Sequence, residues 1–402
     1  MNRRHATAIL LAIVSGALLP ACELTPKDIR EWQSFKDGDR RIAAVVVDPS
    51  RTLMIRATAL EVLAQSGSVV VLADALQKAP KEDRSKLTKA ILPGLLTMMD
   101  GSEQEQVHAK DALFYIGGYL QGDDRETAAK AILGWAMVDF SGRYARGRTT
   151  LDQVLPALGE GSVEALLALL ASGEAIPEVT DILVRMESNR ARDEGAKTLM
   201  NLLKKGGAEA PKESWYALER FVTPLLVPFV VSKLADPEFP DELKDIYFDH
   251  VVKCGGVAAV AGLAGLMADH KLRWIAAEHL LELDDVAGLQ RALTSLPASD
   301  SEYESEDLFL EINFFCKNAV PRLKADKARV EEALVAGLSS PSALSAATTA
   351  HCLGLHGRAG SLEALKATPD QGRVVPAWKD ERAVKLGDIV TTAAEAIESR
   401  GG

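Results

Sequence analysis

The chain reads as all-α, an α-solenoid of stacked antiparallel helix pairs. Three observations lead there. Apolar residues recur at i, i+3, i+4 and i+7 in stretches of helix length, separated by short Gly, Pro, Asp or Ser punctuation, with no convincing run of alternating strands. The apolar fraction, 47%, comes mainly from Ala, Leu and Val, and only 5% of residues are aromatic, which suits closely packed helices. Segments of the chain also repeat one another, as an array requires.

Residues 1–21 carry the three parts of an export signal. "MNRRH" is a positive leader, and "ATAILLAIVSGALL" is an apolar run ending at Leu19. That run is short for a spanning helix, which needs about 20 residues. Leu19, Pro20 and Ala21 then precede Cys22. This resembles the lipobox of bacterial lipoproteins, with a large aliphatic residue three places before the cysteine and a small one directly before it. Pro20 departs from the commoner small or hydroxyl residue at that place. The resemblance runs from Met1 to Cys22 and no further. It implies a lipid on the Cys22 thiol, cleavage just before Cys22 and an acylated new amino terminus. Each buried methylene of such chains holds the membrane by about 0.8 kcal/mol. Glu23 is not the aspartate that favours inner-membrane retention in enteric bacteria, so the implied address is the outer membrane, facing the periplasm.

Residues 22–38 read as a short tether and cap, with Pro26 and a short helix around "IREWQSF". Beyond them the repetition begins. "RATALEVLAQSGSVVVLADAL" (56–76) and "RWIAAEHLLELDDVAGLQRAL" (273–293) share 8 of 21 positions without gaps. "TLDQVLPALGEGSVEALLALL" (150–170) matches the first segment at Gly161, Ser162, Val163, Leu166 and Leu170. A looser copy lies at 342–365. Each predicts a first helix, as at Ala59, Leu60 and Leu63, a short turn, and a second helix presenting Val69, Leu72, Ala73 and Leu76 on one stripe. One hairpin cannot bury its apolar face alone, so neighbours must stack.

With its Asp48-Pro49 start and its arginine-alanine lead into the first helix, "DPSRTLMIRATALEVLAQSG" resembles HEAT-like repeats, particularly their short bacterial form. Repeat units of about 31 residues and of about 41 to 47 both fit the separations between the copies. The stretch "LKKGGAEAPKES" (203–214) divides the array into sub-arrays 39–205 and 206–402. Pro93 predicts a kink or a helix start within "ILPGLLTMMD". Residues 215–234 are strongly apolar, but Glu219, Arg220, Pro224 and Pro228 favour a buried helix pair over a membrane span.

Charge and motif narrow the function. The net charge of -11 becomes -13 once the two leader arginines are removed, which opposes binding to nucleic-acid phosphate. There is no HExxH, GxSxG or GxxxxGK[ST] string; the nearest to the first, "HLLEL" at His279, lacks its second His. "GGVAAVAGLAG" (255–265) reads as small residues that let two helices approach. Cys254, Cys316 and Cys352 are far apart, without a CxxC pair, and read as small buried hydrophobes rather than a disulfide framework or zinc site. His351, Cys352 and His356 cluster without completing a tetrahedron, so no metal, cofactor or catalytic residue is expected; His270 and His279 read as helix residues of the same kind.

One anomaly remains, "DFSGRYARGRTT" (139–150), where Arg143, Tyr144, Arg146 and Arg148 sit in an otherwise acidic chain. Guanidinium groups favour carboxylate or phosphate, so these four are candidate partner-binding residues, with internal pairing to nearby Asp and Glu as the competing reading. The expected function is a lipid-anchored envelope scaffold or adaptor that binds other proteins, without catalysis. The alternative is an enzyme, or a lyase-like or chaperone protein, of the same HEAT-like fold acting on an envelope substrate. Bilin lyases resemble this chain only at the level of the repeat, and function must be argued from a site.

Overall fold

Helices form where the periodicity places them. The computed structural model describes residues 24–207, 210–296, 305–379 and 381–400, so Cys22 and the export signal lie outside the described residues. The chain divides into two units, Met1–Ala191 and Arg192–Gly402. The division falls near the start of a helix that runs unbroken from Asn189 to Gly206, whereas the sequence placed it within 203–214.

The first unit contains α1 (Pro26–Trp32), α2 (Gly38–Val47), α3 (Leu53–Gln65), α4 (Val69–Lys78), α5 (Lys81–Met99), α6 (Glu103–Gly117), α7 (Gly122–Ala136), α8 (Phe140–Tyr144), α9 (Leu151–Leu158), α10 (Val163–Ser172) and α11 (Ile176–Arg185). Helix α12 (Asn189–Gly206) crosses the division. The second unit contains α13 (Lys212–Glu219), α14 (Val227–Leu234), α15 (Asp241–Cys254), α16 (Gly256–Leu266), α17 (Arg273–Ser295), α18 (Ser305–Phe314), α19 (Lys327–Gly337), α20 (Ala343–His356), α21 (Ser361–Lys366), β1 (Val374–Trp378), β2 (Glu381–Lys385) and α22 (Leu386–Arg400).

Local chemistry sets the starts of several helices. The Thr25 hydroxyl and Asp28 carboxylate form a capping box on α1, and Ser102 with Glu105 forms another on α6, each satisfying amides that the first turn leaves free. Packing then runs between neighbours in sequence. Helix α2 rests on α3 and α4, α3 on α5, α5 on α6 and α7; in the second unit α15 rests on α16 and α17, and α17 on α19. Ala59, Leu60, Leu63, Leu72 and Leu76 are fully buried where the repeat predicted an apolar stripe, each leucine contributing about 1.5–3 kcal/mol. Ala73 is only half-buried; Ala75 takes the core position instead.

The two strongest copies of the repeat share a buried arginine at their first position. Arg56 Nε donates to Val46 O at the end of α2, and Arg273 Nε donates to Met267 O just after α16. Both satisfy a carbonyl that a helix end leaves without an intrahelical partner. In the second copy the backbone breaks at Asp284 (φ -139°) and Asp285 (φ 48°), so α17 is two helices meeting at the turn the repeat predicts.

Helix α5 passes through Pro93 rather than starting there. Residues 215–234 fold as the ends of a helix pair, α13 and α14, with Trp215, Leu218 and Val230 buried. No single helix among the described residues is long and apolar enough to cross a membrane. A Cβ on Gly262 would lie 2.6 Å from Val231 Cγ2, so the small residues of α16 do admit α14 closely. The expected absence of strands is corrected by an antiparallel hairpin in which Val375 pairs Val384 and Trp378 pairs Glu381. Packing on α18 and α20 holds it, burying Val375 and Trp378, while Pro376 is tolerated in a sheet of only two strands.

Candidate functional site

The basic loop between α8 and α9 is held from below by a buried pair on α6. Lys110 is fully buried and its ammonium lies 2.8 Å from Asp111 Oδ1. It also donates to Arg146 O at 2.6 Å and to the Thr149 carbonyl. Asp111 accepts from the amides of Arg148 (2.8 Å) and Thr149 (3.1 Å) and from the Thr149 hydroxyl (2.6 Å). Burial pulls the Lys110 ammonium down, against the attraction of Asp111. Burial would raise Asp111, but the Arg148 amide, Lys110 and Thr149 outweigh it and leave the carboxylate below its usual range. Gly147 adopts φ 89° over this pair, and a Cβ there would meet Asp111 and Val107 at 2.7 Å.

The four candidate residues are therefore not equivalent. Arg143 turns inward, donating to the Trp135 carbonyl with its guanidinium 5.1 Å from that indole ring. Tyr144 is half-buried against Asp181, and burial followed by Asp152 pushes its phenol up to about 12. Arg146 pairs with Glu103 while remaining exposed. The exposed Arg148 is anchored through its backbone, and its guanidinium has no partner among the described residues. Internal pairing thus takes up Arg143 and Arg146 and leaves Arg148 presented. The sequence reading missed Lys110 and Asp111; their signal was an adjacent charged pair inside the apolar pattern of α6.

In the second unit the cysteine reading is corrected. Cys316 and Cys352 form a disulfide at a sequence separation of 36, because a π-turn at Phe315–Ala319 places Cys316 against α20. Spacing along the chain carried no sign of a contact made between two elements. The neighbouring histidines serve the same junction. His356 donates to Cys316 O at 2.6 Å and His351 to Asn313 Oδ1 at 3.1 Å. Burial, followed by Lys379 and Lys317, pulls His351 down to about 4. Trp378 and Phe309 close edge-on over its ring, beside a cavity of about 270 Å³.

Two further clusters have chemical potential. Cys254 Sγ lies 3.4 Å from His250 Nε2 on α15. Burial pushes this thiol up and this imidazole down, so the pair is neutral and the sulfur is not activated as a nucleophile. A cleft of about 510 Å³ is lined by Glu278, Glu282, Asp284, Asp285, Arg322 and Lys324. Burial raises Glu278 there, with Arg322 opposing it. Compared with known protein families, curated proteins and solved structures, the chain matches none of them.

Proposed function

We propose that the chain is a lipid-anchored scaffold or adaptor of the bacterial cell envelope, a HEAT-like α-solenoid that binds other proteins without catalysis. The observation that carries this reading is that, within each unit, many helices pack on their next or next-but-one neighbour in sequence, with Arg56 and Arg273 making the same contact in the two copies of the repeat. Stacking of that kind is how solenoids extend a binding surface.

The lipobox at Cys22 supports the tether, and α1 begins at Pro26, which keeps the folded chain near the lipid. The Cys316–Cys352 disulfide supports an oxidising compartment, and it does so independently of the leader. The lipid confines the scaffold to a surface and so raises the effective concentration of any partner assembled there. Within the basic loop, Arg148 is the group placed to meet a carboxylate or phosphate on that partner.

Crosslinking of isolated membranes followed by recovery of the chain tests this reading. Specific envelope proteins are expected with the wild type. At least one is lost both from the Arg143→Glu, Arg146→Glu, Arg148→Glu triple variant and from Arg148→Glu alone. Recovery of every partner by the triple variant dismisses the loop, and recovery of no protein dismisses the scaffold.

A further inference from the structure

Three side chains on two helices of the second unit converge on one point. Asp249 projects from α15, and His279 and Glu282 from α17, with one ligand atom of each within 4.8 Å of the others. His279 Nδ1 lies 3.0 Å from Glu282 Oε2 and 3.9 Å from Asp249 Oδ1. Ligand atoms bonded to one ion at about 2.1 Å stand about 3.0–3.4 Å apart, so His279 and Glu282 already have that spacing and the exposed Asp249 carboxylate has to move inward to join them. We infer that Asp249, His279 and Glu282 form a binding site for one divalent transition-metal ion, of which Zn²⁺ is the type.

Three features besides distance support the assignment. The His279 ring stacks on buried Phe248 with centroids 5.3 Å apart and planes 8° from parallel, which fixes the direction of its nitrogen before any ion arrives. Neither carboxylate forms a salt bridge with a lysine or arginine among the described residues; Lys253, bonded to Glu219 at 2.8 Å, also feels the charge of Asp249. The two carboxylates outnumber the one ammonium near them, and a dication would satisfy both together with the imidazole.

The third feature comes from the repeat. His279 occupies the position of Val62 in the first copy, and Glu282 that of Gln65. Val62 is buried core, so the second copy has exchanged a packing residue for a ligating one at a single step of the array. Glu282 also lines the neighbouring acidic cleft, which leaves room for water to complete the coordination shell. An imidazole with two carboxylates suits Zn²⁺ or Co²⁺, whereas Ca²⁺ takes an all-oxygen set. This inference does not depend on the scaffold reading.

The test is titration of the full mature chain in detergent with Zn²⁺ by calorimetry and with Co²⁺ by visible absorption. One ion per chain is expected, with Co²⁺ bands typical of nitrogen and oxygen ligation and a rise in melting temperature on Zn²⁺ addition. His279→Gln should abolish binding, and Asp249→Asn and Glu282→Gln should each weaken it by at least about tenfold. Asp249 and Glu282 are exposed, so these two variants carry the test if the His279 variant fails to fold. Equal binding by the wild type and the Asp249→Asn, Glu282→Gln double variant, no binding below millimolar Zn²⁺, or tighter binding of Ca²⁺ than of Zn²⁺ would each overturn the assignment.

Discussion

Arg56 and Arg273, far apart in the chain, make the same contact: each Nε donates to a carbonyl at the end of the preceding helix, at 2.8 Å and 2.9 Å. Arg56 also pairs with Asp83 at 2.6 Å, so its charge is neutralised at a site only 3% exposed. The identity that the sequence shows at this position is thus one piece of packing used twice.

Replacing either arginine by methionine keeps most of the side-chain volume and removes the bond. A buried hydrogen bond from a charged group is worth about 1.5–3 kcal/mol, so each variant should lose stability of that order. Because the residues lie in different units, the losses should add within about 0.5 kcal/mol. Urea midpoints of the single and double variants check both statements.

The disulfide predicts a simple thiol count. A chain starting at Glu23, denatured without reductant, should titrate one thiol, that of Cys254, and three after reduction. Closing a loop with a sequence separation of 36 restricts the unfolded chain, so the double variant Cys316→Ala, Cys352→Ala should lose about 3–4 kcal/mol. Three thiols before reduction would remove the crosslink, and with it the structural argument for an oxidising compartment.

His351 gives the fold an acid sensitivity with a definite sign. Burial holds it neutral in the fold down to about 4, while in the unfolded chain it protonates near the ordinary imidazole value of 6.5. The unfolded state therefore binds more protons between those values, and stability falls as pH falls through that window. A drop of up to about 3 kcal/mol is expected from this group between pH 7.5 and 4. His351→Gln should be less stable at neutral pH yet lose less on acidification; equal slopes in the two proteins would refute the assignment.

How far the sequence foresaw this molecule depends on whether a feature is local. Helix faces are local, so Ala59, Leu60, Leu63, Leu72 and Leu76 were legible as core from spacing alone. Contacts between elements were not. Cys316 meets Cys352, Lys110 meets Thr149 and Asp249 meets His279 across long stretches of chain, and each pair requires knowing which helices stack. The hairpin at 374–385 was missed because two short strands, the first interrupted by Pro376, leave a weak alternation.

The pair beneath the basic loop makes its own prediction. Asp111→Ala removes the acceptor of two loop amides and leaves the buried Lys110 ammonium without its counter-charge. A cost of about 3–5 kcal/mol follows. Amide exchange at Arg148 and Thr149 should accelerate more than exchange in the core of α3. Unchanged protection of those two amides would show that the loop is held by something else.

Whether the chain is fixed to a membrane through Cys22 is decided by mass spectrometry of the mature amino-terminal peptide. A lipid-anchored scaffold gives a peptide that begins at Cys22 and carries a thioether-linked diacylglyceryl group with an acylated α-amine. A mature terminus at any other residue, or an unmodified Cys22, would contradict it.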